Sequence, residues 1–146
     1  QNYESRERIM FAATMALNGM TMYGRSTGDW GVHSAGHILS LLYDVPHGAS
    51  LTIVYPAWMR HFSHVNGDRI AQLGTALFDE PITANESINR IEALFKSLGC
   101  PTRLSHLKID GVNRQSIFES MVHSKVNGGN MKMGEEDYTA LISLYL

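Results

Sequence analysis

The chain is short of several features that would each send it to a different class of protein. It has a single cysteine, Cys100, so no disulfide can close within it, and a reducing, cytoplasmic setting is expected. No stretch approaches the roughly eighteen continuous apolar residues of a membrane span. The opening Gln1-Asn2-Tyr3-Glu4-Ser5-Arg6 is polar and lacks the apolar centre of a secretory leader. A net charge of −2 and the absence of any basic run speak against nucleic acid, because phosphate binding needs clustered Lys and Arg. The glycine-rich strand-to-helix fingerprint of dinucleotide sites is missing as well. Gly128-Gly129 follows no apolar strand and opens no phosphate-cradling helix. There are no internal repeats and no low-complexity tracts.

What is present suits one globular domain. The 146 residues are enough for a real core, and 44% hydrophobic with 18% charged residues is ordinary composition. The patterning is helical, which predicts an all-α bundle of six or seven helices. From Glu4 to Met22 the residues Ile9, Ala12, Ala13, Ala16, Leu17 and Met20 recur at helical spacing, and that face is expected in the core. Gly24 to Gly28 reads as a loop. Asp68 is expected to open a helix through Phe78 that buries Ile70, Ala71, Leu73, Ala76 and Leu77. Thr83 and Glu86 have capping-box spacing ahead of a helix burying Ile88, Ile91, Leu94, Phe95 and Leu98, stopped by Gly99 and Pro101. Two further helices, 113–126 and 135–146, flank a Gly- and Asn-rich loop, the first capped by Asp110 or Asn113. Residues 50–62 conflict: Leu51 to Tyr55 favour a strand by propensity, and Pro56 interrupts either strand or helix. His61 and His64 read as a solvated helix end, and His106 and His123 as surface residues.

The chemistry concentrates in one stretch, Asp29-Trp30-Gly31-Val32-His33-Ser34-Ala35-Gly36-His37, continuing through Tyr43-Asp44-Val45-Pro46-His47-Gly48. If Trp30 to Leu42 is a helix, with Asp29 as its N-cap, His33 and His37 lie one turn apart on the same face. Two neutral imidazoles so placed can chelate one ion. His47 can join them only if the helix ends in between, which Pro46 and Gly48 allow. The competing account makes these hydrogen-bonded or surface histidines, with Ser34, Ala35 and Gly36 letting another helix approach. Trp30 either walls a cleft or packs in the core.

The run GDWGVHSAGHILSLLYDVPHGASLTIVYPAWMRH, supported by RERIMFAATMALNGM before it and LFKSLGCPTRLSHL after it, resembles the signature segment of the iron-containing (group III) alcohol dehydrogenases. The likeness is to the butanol dehydrogenase and NADPH-dependent aldehyde reductase branch in particular. It implies the all-helical C-terminal domain of a two-domain enzyme over residues 1–146, with the N-terminal dinucleotide-binding domain absent. It assigns the metal, Fe2+ or Zn2+, to His33 and His47, and turns His37 toward nicotinamide and substrate as the catalytic and cofactor-facing residue. It also favours a buried helix kinked near Pro56 for residues 50–62, packed under the metal. The family's remaining ligands, an aspartate and a histidine from an upstream helix, do not appear in this chain. The implied activity is interconversion of aldehydes and primary alcohols with NAD(P)H, the dinucleotide being held mainly by the missing domain. The 146 residues alone are expected to be inactive. Expected partners are the aldehyde or alcohol, the missing N-terminal domain and a second copy in a homodimer, with no nucleic acid and no membrane.

Two other classes stay in view. One is a non-catalytic helical binding or assembly module with a vestigial or regulatory metal site, and the other a free-standing metal-binding protein. A dehydrogenase fragment should expose apolar surface that its missing half covers, including part of the first helix with Ile38, Leu41 and Leu42.

Overall fold

The structure, a computed structural model, describes residues 2–24 and 28–146. The expected 24–28 loop therefore falls largely outside the described residues. Seven α-helices and no strand are found among them: α1 (Tyr3–Leu17), α2 (Gly31–Tyr43), α3 (His47–His61), α4 (Ser63–Phe78), α5 (Ala84–Ser97), α6 (Arg114–His123) and α7 (Glu135–Tyr145). Short 3-10 turns lie at Met20–Met22 and Leu104–His106. The all-α bundle read from the sequence is the fold. No described helix is long and apolar enough to cross a membrane.

The bundle is built around α3. Ile53, Val54, Ala57 and Trp58 turn into the larger core, which Ala35, Ile38 and Leu39 of α2, Ile117 and Met121 of α6, and Leu141, Ile142 and Tyr145 of α7 complete. Met59 turns the other way, onto Ile70 of α4 and Ile88 and Ile91 of α5. A helix buried on both sides is apolar nearly all round, which is why 50–62 carries no clean amphipathic period and mimics a strand. The helix runs through Pro56 from His47 to His61. The departure from helical angles comes later, at Asn66 (φ −112°, ψ 15°) inside α4, so the kink expected near Pro56 lies ten residues on.

Local signals set most boundaries. Thr83 caps α5 by accepting from the Glu86 N–H at 3.2 Å, and Asn113 caps α6 by accepting from Gln115 and Ser116. Gly99, at φ 75°, ends α5 as expected, with the Cys100 N–H donating back to the Phe95 carbonyl at 2.9 Å. Helices α4 and α5 touch at Gly74, where a Cβ would overlap the buried Ser87. Glu92 of α5 is 5% exposed and receives Arg60 of α3 at 2.5 Å, Lys96 at 2.9 Å and Arg103 at 3.3 Å.

Several expected burial patterns are corrected. No residue of α1 is buried; Ile9, Phe11 and Leu17 are 69%, 67% and 76% exposed. Its apolar residues are left uncovered by the described residues. Leu77, Leu94 and Leu98 are also exposed, on the sides of α4 and α5 turned away from the second core, onto which Phe78 and Phe95 pack. Ile38, expected on an uncovered face, is core, whereas Leu41 is exposed. His61 is no solvated end: its Nε2 lies 2.8 Å from Asp137 Oδ1, joining the end of α3 to the start of α7.

Candidate metal centre

The three histidines of the signature stretch come together at one end of the α2–α3 pair. His33 sits in the first turn of α2, His37 one turn further, and His47 is the first residue of α3. The reversal between them uses three residues. Asp44 takes a left-handed conformation (φ 52°) with its N–H donating to the Ser40 carbonyl, an arrangement Asp tolerates better than most residues. Val45 is buried, and Pro46 at φ −53° leads into α3. The two helices approach closely because Gly36 has no side chain: a Cβ there would stand 3.0 Å from Ser50 Oγ. Small residues thus serve packing while the histidines face outward.

Ring centres of His33 and His47 are 5.3 Å apart, those of His37 and His47 5.4 Å, and those of His33 and His37 6.4 Å. Two imidazoles sharing one tetrahedral ion, each nitrogen about 2.1 Å from it, put their ring centres about 5 Å apart. Either pair that includes His47 meets this. The one-turn pair His33 and His37, which helical spacing alone would have favoured, is too wide. No ring nitrogen of the three takes a hydrogen bond from a described residue, so their lone pairs are uncommitted. Burial, then the neighbouring His47 and His37, lowers the pKa of His33, which favours the neutral form that ligates a metal. The donor type and the spacing therefore fit a divalent ion. Among the described residues no group of three or more His, Cys, Asp or Glu is placed to hold a metal ion.

Of the three histidines, His33 lines a cleft of about 730 Å³, mostly apolar, which runs from Trp30 past Tyr55 and Met59 to Phe95. Sequence reading placed only Trp30 as a possible wall of it. Tyr55 and Phe95 come from different helices, and no local pattern joins them. Trp30 does line the cleft, 46% exposed, with its ring edge-on to His33 at 4.9 Å.

Asp29 does not cap α2. That position belongs to Trp30, which has no side-chain cap and a left-handed backbone (φ 59°), at a cost of about 1–2 kcal/mol for a bulky residue. The Asp29 carboxylate instead accepts from the Asn130 and Met131 N–H groups at 2.8 and 2.9 Å.

These features coincide with a known family. The C-terminal domain of the Fe-containing alcohol dehydrogenase family matches residues 1–144, and the chain belongs to that family. It is 34% identical to the probable NADH-dependent butanol dehydrogenase 1 of Bacillus subtilis, over all of this chain and 39% of that protein. It is 30% identical to the NADPH-dependent aldehyde reductase YqhD of Escherichia coli, over 83% of this chain and 32% of that one. The crystal structure of NADH-dependent butanol dehydrogenase A from Thermotoga maritima superposes with a TM-score of 0.87 at 29% identity, over 99% of this chain and 39% of that chain. The chain thus spans about two-fifths of the length of these relatives.

Proposed function

We propose that this domain contributes His33 and His47 to the catalytic divalent metal of an enzyme that interconverts aldehydes and primary alcohols with NAD(P)H. The observation that supports the reading is the meeting of these imidazoles 5.3 Å apart, with His33 of the pair lining an apolar cleft. The bound ion, iron or zinc, supplies a Lewis acid at the substrate oxygen. His33 and His47 hold it in their neutral forms. His37, exposed beside them, orients substrate and nicotinamide and moves a proton at the substrate oxygen. Trp30, Tyr55 and Phe95 exclude water from the carbon chain of the substrate. The rest of the ligand set and the dinucleotide site belong to an N-terminal domain, so residues 1–146 by themselves are inactive. Within the full enzyme a homodimer is the ordinary expectation.

The test is metal bound per chain after anaerobic reconstitution with ferrous iron or zinc, in the parent and in His33→Ala, His37→Ala and His47→Ala. Metal lost with His33 or His47 and kept with His37 is the expected result. Equal losses from His33 and His37 with His47 indifferent would replace this assignment with the one-turn chelate.

A further inference from the structure

We propose that Asp29 is a positioning residue for the histidine cluster, acting through Trp30 on His33. The Asp29 carboxylate reaches a loop a hundred residues later in the chain. Its Oδ1 accepts from the N–H groups of Asn130 (2.8 Å) and Met131 (2.9 Å), and its main-chain carbonyl accepts from the Gly129 N–H at 2.5 Å. The loop is itself closed, the Gly128 N–H donating to the Met131 carbonyl and the Met133 N–H to Asn127 Oδ1.

Two glycines make the clasp fit. A Cβ at Gly128 would overlap the Asp29 carboxylate, and a Cβ at Gly31 would overlap the Trp58 ring and stand 2.9 Å from Asp29 Oδ2. Residue 29 is therefore fixed by the loop and residue 31 by the core, with only Trp30 between them. Trp30 absorbs the turn in its left-handed backbone, and its indole lands edge-on against His33 at 4.9 Å. The indole stands on one side of the His33 ring and so narrows the orientations in which that ring meets His47. Supporting contacts of this kind commonly govern how well a ligand binds its metal. Only this last step rests on the reading of His33 as a ligand. Oδ2 is buried and accepts no hydrogen bond among the described residues, so Asn, which keeps one oxygen for the loop, is the conservative replacement.

The experiment follows the His33 ring Cε1–H resonance in the metal-free chain, assigned by its loss in His33→Gln, with Trp30→Leu marking its position without the indole. Asp29→Ala should move the His33 signal to the Trp30→Leu position, and Asp29→Asn should leave it near the parent. Gly128→Ala, which displaces the carboxylate without changing Asp29, should reproduce Asp29→Ala. The His37 and His47 signals, whose rings lie 6.4 and 5.3 Å from that of His33, should move less than the His33 signal in both Asp29→Ala and Gly128→Ala. In zinc competition, Asp29→Ala should weaken binding by up to about tenfold, the low end of what losing a direct partner of a ligand costs, with Asp29→Asn close to the parent. A His33 signal unmoved in both Asp29→Ala and Gly128→Ala, while the Asn130 and Met131 amides shift, would overturn the proposal. General loss of the Met121 core methyl signal in both variants would also overturn it, since Asp29 would then serve the fold alone. If the parent chain takes no zinc, the metal needs the ligands of the N-terminal domain as well, and the ring resonance still decides the role of Asp29.

Discussion

Replacing Glu92 by Gln should remove a pH-dependent part of the stability of this bundle. The carboxylate is 5% exposed and meets Arg60, Lys96, Arg103 and the Thr102 hydroxyl, which donates at 3.3 Å. Burial by itself would raise its pKa, but hydrogen bonds from Lys96 and Arg60, with the charges of Arg60 and Arg103, overrule it and hold the group at about 2 against an ordinary 4.5. A carboxyl group depressed on folding stabilises above its unfolded value, and that contribution disappears as pH falls through the folded one. The difference corresponds to about 3 kcal/mol, fully present above about pH 5 and gone near pH 2. Urea unfolding of the parent and Glu92→Gln, repeated from pH 7 downward, reads the gap between the two proteins. It should be about 3 kcal/mol at pH 7 and should close toward pH 2. Asp137 is also depressed, by the Gly134 N–H foremost, but it is present in both proteins and cancels in the gap. A gap that does not change with pH would refute the assignment of this stability to the charge of Glu92.

Gly74→Ala should cost about 1–3 kcal/mol by thermal or urea unfolding, because its Cβ overlaps buried Ser87 and approaches Ile82 Cδ1 at 2.8 Å; combining it with Ser87→Gly should return part of the loss. Thr83→Ala removes the acceptor for the Glu86 N–H and should cost about 1 kcal/mol, seen as the same loss in the midpoint of unfolding. Ile9→Ser with Phe11→Ser, both exposed on α1, should change stability by no more than about 0.5 kcal/mol while reducing apolar dye binding and self-association in gel filtration. A large loss of stability there would mean that α1 packs within this chain after all.

The parts of the fold that were legible in the sequence are those written by neighbours. Thr83 with Glu86, Gly99 with Pro101, and Asn113 each announce a helix end through residues two or three apart, and each is where the structure puts it. The burial of α3 was legible only in part, since a helix packed on both faces loses the period that marks one. The face of α1 illustrates the opposite failure. Its spacing is amphipathic and was taken as core, but period reports that a face needs a partner and leaves open whether that partner is in the same chain.

The histidine cluster divides in the same way. That His33, His37 and His47 could meet was legible, because Pro46 and Gly48 mark a reversal within fifteen residues. Which of them pair was not, since one-turn spacing makes His33 and His37 neighbours while their rings sit 6.4 Å apart and each stands about a full ångström closer to His47. The setting of His33 was farther out of reach. Asp29 stands where an N-cap belongs and has the right side chain for one, so local rules assign it to α2. Its carboxylate goes instead to amides 101 and 102 residues away, a choice made possible by the missing side chain of Gly128. A glycine that follows no strand and opens no helix looked like loop filler in the sequence. In the fold it is the clearance that lets one loop grip the residue beside Trp30.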